Sequence, residues 1–447
     1  MNRAADLTEG HMNQDSVPLS SRPMTTTLLR PIIFFAAILG CIHSFTSCGA
    51  AGKDHSAALQ AALLKEDLAQ VKAAVAEGRK ELGGQAGIPE VPDEYASVPA
   101  SARLLSAAEA RQAVKKSFAK LEEMRFWKIK IDPTKLAAPL RAPANVVACM
   151  VAMDRAKLDD GTTALQQAKD AADFLIWAQE QAGAGCYPFP AAKNTSQERA
   201  MQVATRFLER AEAEGKLAET VRNGWAYDDH GDGGMQFDNG ECGVALLELY
   251  EATQDRRYLD SALKAADWAM ARPLCPNWNY NSFSVNLLTK AHQVTKQPKY
   301  LEAALKKAVI GVIPGQLMDG PRAGRWMDPH NARPAYHYVM MAALARLAIE
   351  LPKDHAALPE VMQCLQLGLS TRNSEILSQG VMNKDKAVEC LMLVNRLFAS
   401  NQVFLAETKS LEALDTIHRH ASEEARRGKL PLGPRGWGEM LERCATQ

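Results

Sequence analysis

The chain has 447 residues, 47% of them hydrophobic and 6% aromatic, with 52 Lys plus Arg set against 52 Asp plus Glu. That much apolar material can build a large core and excludes a globally disordered chain. A formal net charge of zero gives no electrostatic reason for nucleic acid or an anionic membrane surface to be the main partner.

The first local signal is the apolar run PIIFFAAILGCI from Pro31 to Ile42, preceded by Arg30. It is short for a membrane span and reads as the core of a signal peptide, with Met24 as the start and MTTTLLR as its basic leader. Phe45-Thr46-Ser47-Cys48 resembles a bacterial lipoprotein box, with Phe45 where such boxes carry Leu or another aliphatic residue. The resemblance implies lipidation at Cys48, an exported protein in the periplasm or anchored at a bacterial membrane, and membrane contact through that lipid alone. Cleavage near Ala50 and a retained anchor are the alternatives. Residues 1–48 are thus a signal region. Residues 49–100 read as a linker, with a short Ala-rich helical stretch at 55–82 and then GGQAGIPEVPDEYASVP, whose Gly and Pro residues forbid a continuous helix. The folded domain is expected over 101–447.

From 101 onward apolar residues recur at three- and four-residue spacing, and no run of alternating β-branched residues marks a strand. Leu246-Leu247-Glu248-Leu249, Tyr258-Leu259 and Ala262-Leu263 return about 42 residues later as Leu288, Tyr300-Leu301 and Ala304-Leu305. Ala171-Ala172-Asp173-Phe174 matches Ala265-Ala266-Asp267-Trp268. Such a period means one helix hairpin per repeat, which must stack on its neighbours. The expected pairs are 104–124 with 144–157, 162–181 with 196–218, 240–254 with 257–271, 282–296 with 298–311, 333–350 with 355–370, and 384–400 with 404–426. The fold class is all-α, an (α/α)6-type toroid of about six hairpins.

Short turns (QDRR, KQPK) alternate with long connections rich in Gly, aromatic and acidic residues: GAGCYPFPAAK, NGWAYDDHGDGGMQFDNG, RPLCPNWNYN and GQLMDGPRAGRWMDPHN. In a closed ring all the long loops would gather at one end, where a rigid scaffold can hold a site. Phe174-Leu175-Ile176-Trp177-Ala178-Gln179 leading into Gly185-Cys186-Tyr187-Pro188-Phe189-Pro190 resembles the helix-then-loop of the helical pectate lyases, whose loop reads Gly-Gly-Trp-Pro-Gln. With Asn223-Gly224-Trp225-Ala226-Tyr227 and Phe237-Asp238-Asn239-Gly240, it carries a resemblance to the six-hairpin (α/α) toroid superfamily over residues 140–370. That superfamily includes pectate lyases, unsaturated glucuronyl hydrolases and sugar epimerases. The resemblance implies a glycan ligand or substrate and lyase or hydrolase chemistry.

Three segments carry candidate chemistry. In 225–241, Asp228, Asp229 and Asp238 could serve as acid, base or ligand beside Trp225 and Tyr227 as sugar contacts; the bland reading is a solvated acidic loop with Asp238 or Asn239 capping the next helix. Asp228, His230 and Asp232 are spaced like the opening of a calcium loop, which keeps Ca2+ in view, but the twelfth position is Asn239 rather than Glu. In 325–337, Arg325, His330 and Tyr336 supply a cation and proton-transfer groups beside Trp326; otherwise Trp326 and Tyr336 simply pack the loop. In 277–281, Trp278 and Tyr280 are interleaved with amides that suit sugar hydroxyls or a rigid polar loop. No metal site is assigned. The cysteines beyond Cys48 show no CxxC; a disulfide among Cys186, Cys242 and Cys275 is conceivable, and buried apolar thiols are the plainer reading. No phosphate loop, HExxH or GxSxG occurs. The rival to a glycan enzyme is a non-catalytic helical-repeat lipoprotein that binds a protein or glycan partner.

Overall fold

The computed structural model describes residues 53–81, 95–106, 131–136, 138–157, 163–192, 199–381, 384–429 and 431–445, with scattered positions between 108 and 127. The signal segment, Met24 and Cys48 lie outside the described residues.

The helices in chain order begin with α1 (Lys53–Leu64), α2 (Leu68–Glu81), α3 (Arg141–Arg155), α4 (Thr163–Ala182), α5 (Arg199–Ala213), α6 (Leu217–Thr220), α7 (Gly234–Thr253) and α8 (Arg256–Ala271). They continue with α9 (Trp278–Thr295), α10 (Pro298–Gly311), α11 (Pro334–Glu350), α12 (Leu358–Gln379), α13 (Lys384–Leu397), α14 (Gln402–Glu407), α15 (Ser410–Arg426) and α16 (Pro434–Ala445). Helices α3, α7, α9, α11, α13 and α16 each pack on the next, and α16 returns to α3, which closes an inner ring of six. Helices α4, α8, α10, α12 and α15 lie outside it, each against the inner helix that precedes it. The fold is an (α/α)6 toroid, as the alternation of short and long connections predicts.

The two rings differ in sequence because they differ in surroundings. Outer helices turn small residues inward: Ala262, Ala265, Ala266 and Ala269 on α8, and Ala304 and Ala308 on α10, are all buried. Such a stripe lets helix axes approach closely. Inner helices are covered on nearly every side. At the crossing of α7 with α9, a Cβ on Gly240 would sit 2.8 Å from the Phe283 carbonyl, and one on Gly243 2.6 Å from Leu287. Backbone leaves room only for glycine at 240, whereas at 243 the end of the Leu287 side chain would have to shift.

Inner-to-outer turns are two residues long in the repeated part. Gln254 and Lys296 end α7 and α9 in the left-handed region (φ 59° and 57°), and Asp255 then caps α8 through the Arg257 N–H at 3.0 Å. The sequence repeat itself is a staple between neighbouring outer helices. The Tyr258 hydroxyl donates to Asp173 at 3.3 Å with Arg257 beside it, and Tyr300 donates to Asp267 at 3.0 Å with Lys299 beside it.

The expected hairpins from 240 onward are present, but the first two are out of phase. The helix near 144–157 (α3) pairs with α4, and most of 104–124 lies outside the described residues. Helix α5, within the expected 196–218, leaves the ring and belongs to an excursion with α6 and a small sheet. That sheet has strands β1 (Phe189–Pro190), β2 (Val221–Arg222) and β3 (Trp225–Ala226) in the antiparallel order β1-β3-β2. The sixth inner helix is α16, which the pairing above did not include.

The stretch read as one helix at 55–82 is two, broken at Lys65–Asp67, and it is bound to the toroid wall. Leu59, Leu63, Val71 and Val75 are buried, Glu66 pairs with Lys306, and Arg79 donates to the Gln316 carbonyl at 2.7 Å. Further on, Ala96 pairs with Val381 and Leu105 N–H meets Ser422.

Candidate functional site

The long connections precede the inner helices, so they gather where those helices begin. Six parallel N-termini meet at that end, and their dipoles make it the positive end of the ring.

The loop before α7 is held by its own acids. The Asp229 carboxylate accepts the N–H groups of Gly231, Gly233 and Met235 at 3.2, 3.1 and 3.0 Å and pairs with Arg272. It is the cap of α7, which starts at Gly234 (its preceding Gly233 has φ 90°) rather than after Asp238. Asp228 accepts the His230 N–H at 2.8 Å and the same Arg272 at 3.1 Å. The cation held by this loop is thus an arginine, stacked over Trp268 at 4.7 Å. Asp238 lies inside α7 with no exposed surface; Arg141 places its backbone N–H and Nε 3.2 Å from Oδ1 and its Nη2 2.9 Å from Oδ2. Burial pushes that carboxyl upward against Arg141. In this structure the three acids hold backbone N–H groups and two arginines, Arg272 and Arg141.

The aromatic candidates are enclosed by their neighbours. Trp225, Trp278 and Trp326 are 0%, 1% and 0% exposed, so no face is open to a sugar. Trp225 meets Trp177 edge-on at 5.9 Å, Trp278 packs on Gly315, and Trp326 donates to the Val312 carbonyl at 2.9 Å. Tyr227 is half-buried beneath Arg222, whose guanidinium sits 4.9 Å from its ring centre. Tyr280 is also half-buried, near Gly234, and burial pushes its phenol up. The pectate-lyase-like loop turns inward: Tyr187 is buried, its N–H on Asn239 at 3.1 Å and its hydroxyl on Ser261 at 2.9 Å.

In the loop before α11, Arg325 pairs with Glu375 on outer helix α12, while His330 stacks on Tyr336 with ring centres 4.5 Å apart. Burial lowers the His330 imidazole despite nearby Asp328. The loops before α7 and α11 meet the start of α9 from its two sides: Tyr280 touches the first, and Asn279 takes Asn331 through its N–H and Nδ2 at 3.0 and 2.8 Å. They are neighbours on one rim.

The inner ring encloses a second group of residues that the motif reading missed. An axial cavity is lined by Glu241 from α7, Asn286 from α9, Arg346 from α11, Lys386 and Glu389 from α13, and Arg435 from α16. Lys386 Nζ donates to Glu241 at 3.1 Å and to Glu389 at 2.9 Å. The two carboxylates are therefore no further apart than the sum of those distances, about 6 Å. Arg435 lies 3.4 Å from Glu241, 3.6 Å from Glu248 and 3.9 Å from Glu389. Burial would raise both cavity glutamates. At Glu241 the fields of Lys386 and Arg435 overcome it and hold the carboxyl low, whereas at Glu389 burial prevails and the carboxyl is pushed up. Two acids in contact with one ammonium thus differ in their hold on a proton, the arrangement from which acid and base roles arise. The space left is about 30 Å³, room for about two waters rather than a sugar ring.

A signal for these residues existed. Lys386 and Glu389 lie one turn apart on a helix whose neighbouring Ala387, Val388, Cys390 and Leu391 are all apolar. Charge among such neighbours costs too much unless it is paired. Among the described residues no group of three or more His, Cys, Asp or Glu side chains could hold a metal ion, and the seven described cysteines are free and buried.

No family model matches the chain, and no curated protein matches it. Among solved structures it is similar to a polysaccharide lyase at 14% identity and TM-score 0.44, covering 76% of this chain and 96% of that one. It is also similar to a glycosyl hydrolase family 88 protein from Bacteroides vulgatus at 12% identity and TM-score 0.46, covering 76% and 98%. Neither likeness transfers a substrate or a catalytic residue to this chain.

Proposed function

We propose that this protein is a carbohydrate-active enzyme that cleaves a glycan at the axial cavity, with Glu389 as proton donor and Glu241 as its ionised partner. The observation that carries this reading is the pair itself: two glutamates on facing inner helices, both on Lys386, with opposite protonation tendencies. A raised carboxyl is suited to protonate a leaving-group oxygen, and a lowered one to support developing positive charge or take a proton. A sugar ring needs several times the present cavity volume, so binding requires Lys386 and Arg435 to swing off the axis. Glu241→Gln and Glu389→Gln each should cut release of reducing ends from glycan substrates by about 10²-fold or more, with the helical spectrum retained. Undiminished turnover in both variants would overturn the assignment.

The small, fully ion-paired cavity favours a second reading, a toroid that binds a glycan or protein without turning it over. It predicts binding that survives both substitutions, with no cleavage by the parent protein. The export reading of residues 24–48 belongs to the same proposal: labelled fatty acid should enter the parent protein and fail to enter Cys48→Ser. Labelling of both, or of neither, would remove the anchor.

A further inference from the structure

Three hydrogen-bond donors at the axial cavity remain once its ion pairs are drawn. Arg435 has five N–H donors and makes one long hydrogen bond. Its Nη1 reaches Glu241 at 3.4 Å, its Nη2 stands 3.6 Å from Glu248, and its buried Nε meets no acceptor. Glu389 is 3.9 Å from that Nε, too far for a hydrogen bond. The Lys386 ammonium has three donors, of which Glu241 and Glu389 take two. The Asn286 carboxamide is oriented by buried Arg346, whose Nε donates to it at 2.9 Å. A guanidinium only donates, so the Asn286 oxygen faces Arg346 and its amino group is left to donate to the cavity that Asn286 lines.

Charge points the same way. With the proton of Glu389 in place, two ionised carboxylates, Glu241 and Glu248, face three cations, Lys386, Arg346 and Arg435. Around them the charges pair off: Lys290 with Glu251, Arg141 with Asp238, and Arg155 and Arg396 with Glu439 and Glu442. One positive charge is therefore in excess inside the ring, and an uncompensated buried charge is costly. The space of about 30 Å³ suits an occupant no larger than about two waters. A sulfate is too bulky, whereas a single-atom anion accepts from several N–H groups at once.

We propose that the axial cavity binds one halide-sized inorganic anion, such as chloride, on Arg435 Nε, the Asn286 amino group and Lys386. The charge count rests on the glycan-cleaving reading above, because it takes Glu389 as protonated. The bound ion holds Arg435 and Lys386 on the axis. A sugar ring enters only when those two side chains swing away, so anion and glycan exclude one another. Chloride is then a competitive ligand, and no covalent bond forms or breaks when it binds.

The test follows the chloride NMR line width as chloride is added to the full chain, with sodium gluconate holding the ionic strength. Expected is broadening that saturates and is reversed by bromide. Asn286→Asp removes the amino donors and sets a carboxylate beside Arg346, so chloride affinity should fall by about tenfold or more. Glu241→Gln leaves a second positive charge in excess and should tighten chloride about tenfold; it carries the test if Asn286→Asp does not fold. Glu389→Gln, the neutral isostere of the protonated acid, should keep the parent's chloride affinity while losing cleavage. During glycan cleavage chloride should raise KM and leave kcat unchanged. Broadening that never saturates, or that is equal in the parent, Asn286→Asp and Glu241→Gln, would overturn the anion site. Cleavage without saturable chloride binding would also overturn it and keep the glycan reading. Saturable binding that Asn286→Asp weakens, in a protein that cleaves no glycan, would keep the anion site and overturn that reading.

Discussion

Asp229 offers the sharpest contrast between a reacting and a positioning carboxylate. Its replacement by Asn keeps the shape but removes the charge that faces three backbone N–H groups and Arg272. Loss of the α7 cap costs about 1 kcal/mol, and weakening a buried charge-assisted contact costs roughly 1.5–3 kcal/mol. Arg272 is not fully orphaned, because Asp228 still lies 3.1 Å away. The expected total is therefore about 2–4 kcal/mol. Asp228→Asn should cost roughly 0.5–1 kcal/mol, since that side chain is partly in solvent. Urea unfolding followed by circular dichroism would show a clear drop in midpoint for Asp229→Asn and a small one for Asp228→Asn. An unchanged midpoint for Asp229→Asn, with glycan turnover abolished, would refute the positioning role and restore Asp229 as a reacting group.

Other expectations follow from packing and titration. Trp326→Ala should cost about 3–5 kcal/mol of stability, whereas a sugar platform would lose affinity with its unfolding midpoint intact. Gly240→Ala should cost about 1–3 kcal/mol through the clash with Phe283, and an unaltered midpoint would place α7 further from α9 than described. His418 is pushed down to about 3, first by burial and then by Arg443. The folded chain keeps it neutral where the unfolded chain protonates it. Its contribution is thus intact above ~6.5 and is lost as pH falls from there towards about 3. Urea midpoints between pH 7 and 4 should fall less steeply in His418→Gln than in the parent; parallel slopes would contradict the assignment. Glu248 acts lower down. Burial opposes its charge, but Arg435, Arg155 and Arg346 hold it at about 2, so its share persists above ~4.3 and is lost as pH falls towards about 2.

The hairpins from 240 to 426 were legible because their turns and their Tyr–Asp staples repeat in sequence. The phase of the first hairpins was not, since α5 has a helical pattern of its own and no local property tells an excursion from a ring member. The burial of the loop tryptophans was not legible for a related reason. An aromatic residue among glycines and acids has the same composition whether its ring faces solvent or fills the space between two helix ends, and only the approach of Gly315 to Trp278 or of Val312 to Trp326 decides it. The partners of Asp228 and Asp229 were not legible either, because acids that cap helices and acids that do chemistry share a loop setting. The axial residues were hidden by the opposite effect: Glu241, Lys386, Glu389 and Arg435 sit on helices, where charge normally marks a solvated face, and their partners are up to 194 residues away.

The central proposal is that ligand meets this protein at the cavity on the ring axis. Hydrogen exchange with and without a bound oligosaccharide tests it most directly. Slowed exchange should appear in Lys386–Cys390 of α13, in the first turn of α16 around Arg435, and in Glu241–Leu246 of α7. Protection confined to 225–233 and 325–333, with those helix segments unchanged, would place the site on the outer rim and contradict the axial assignment.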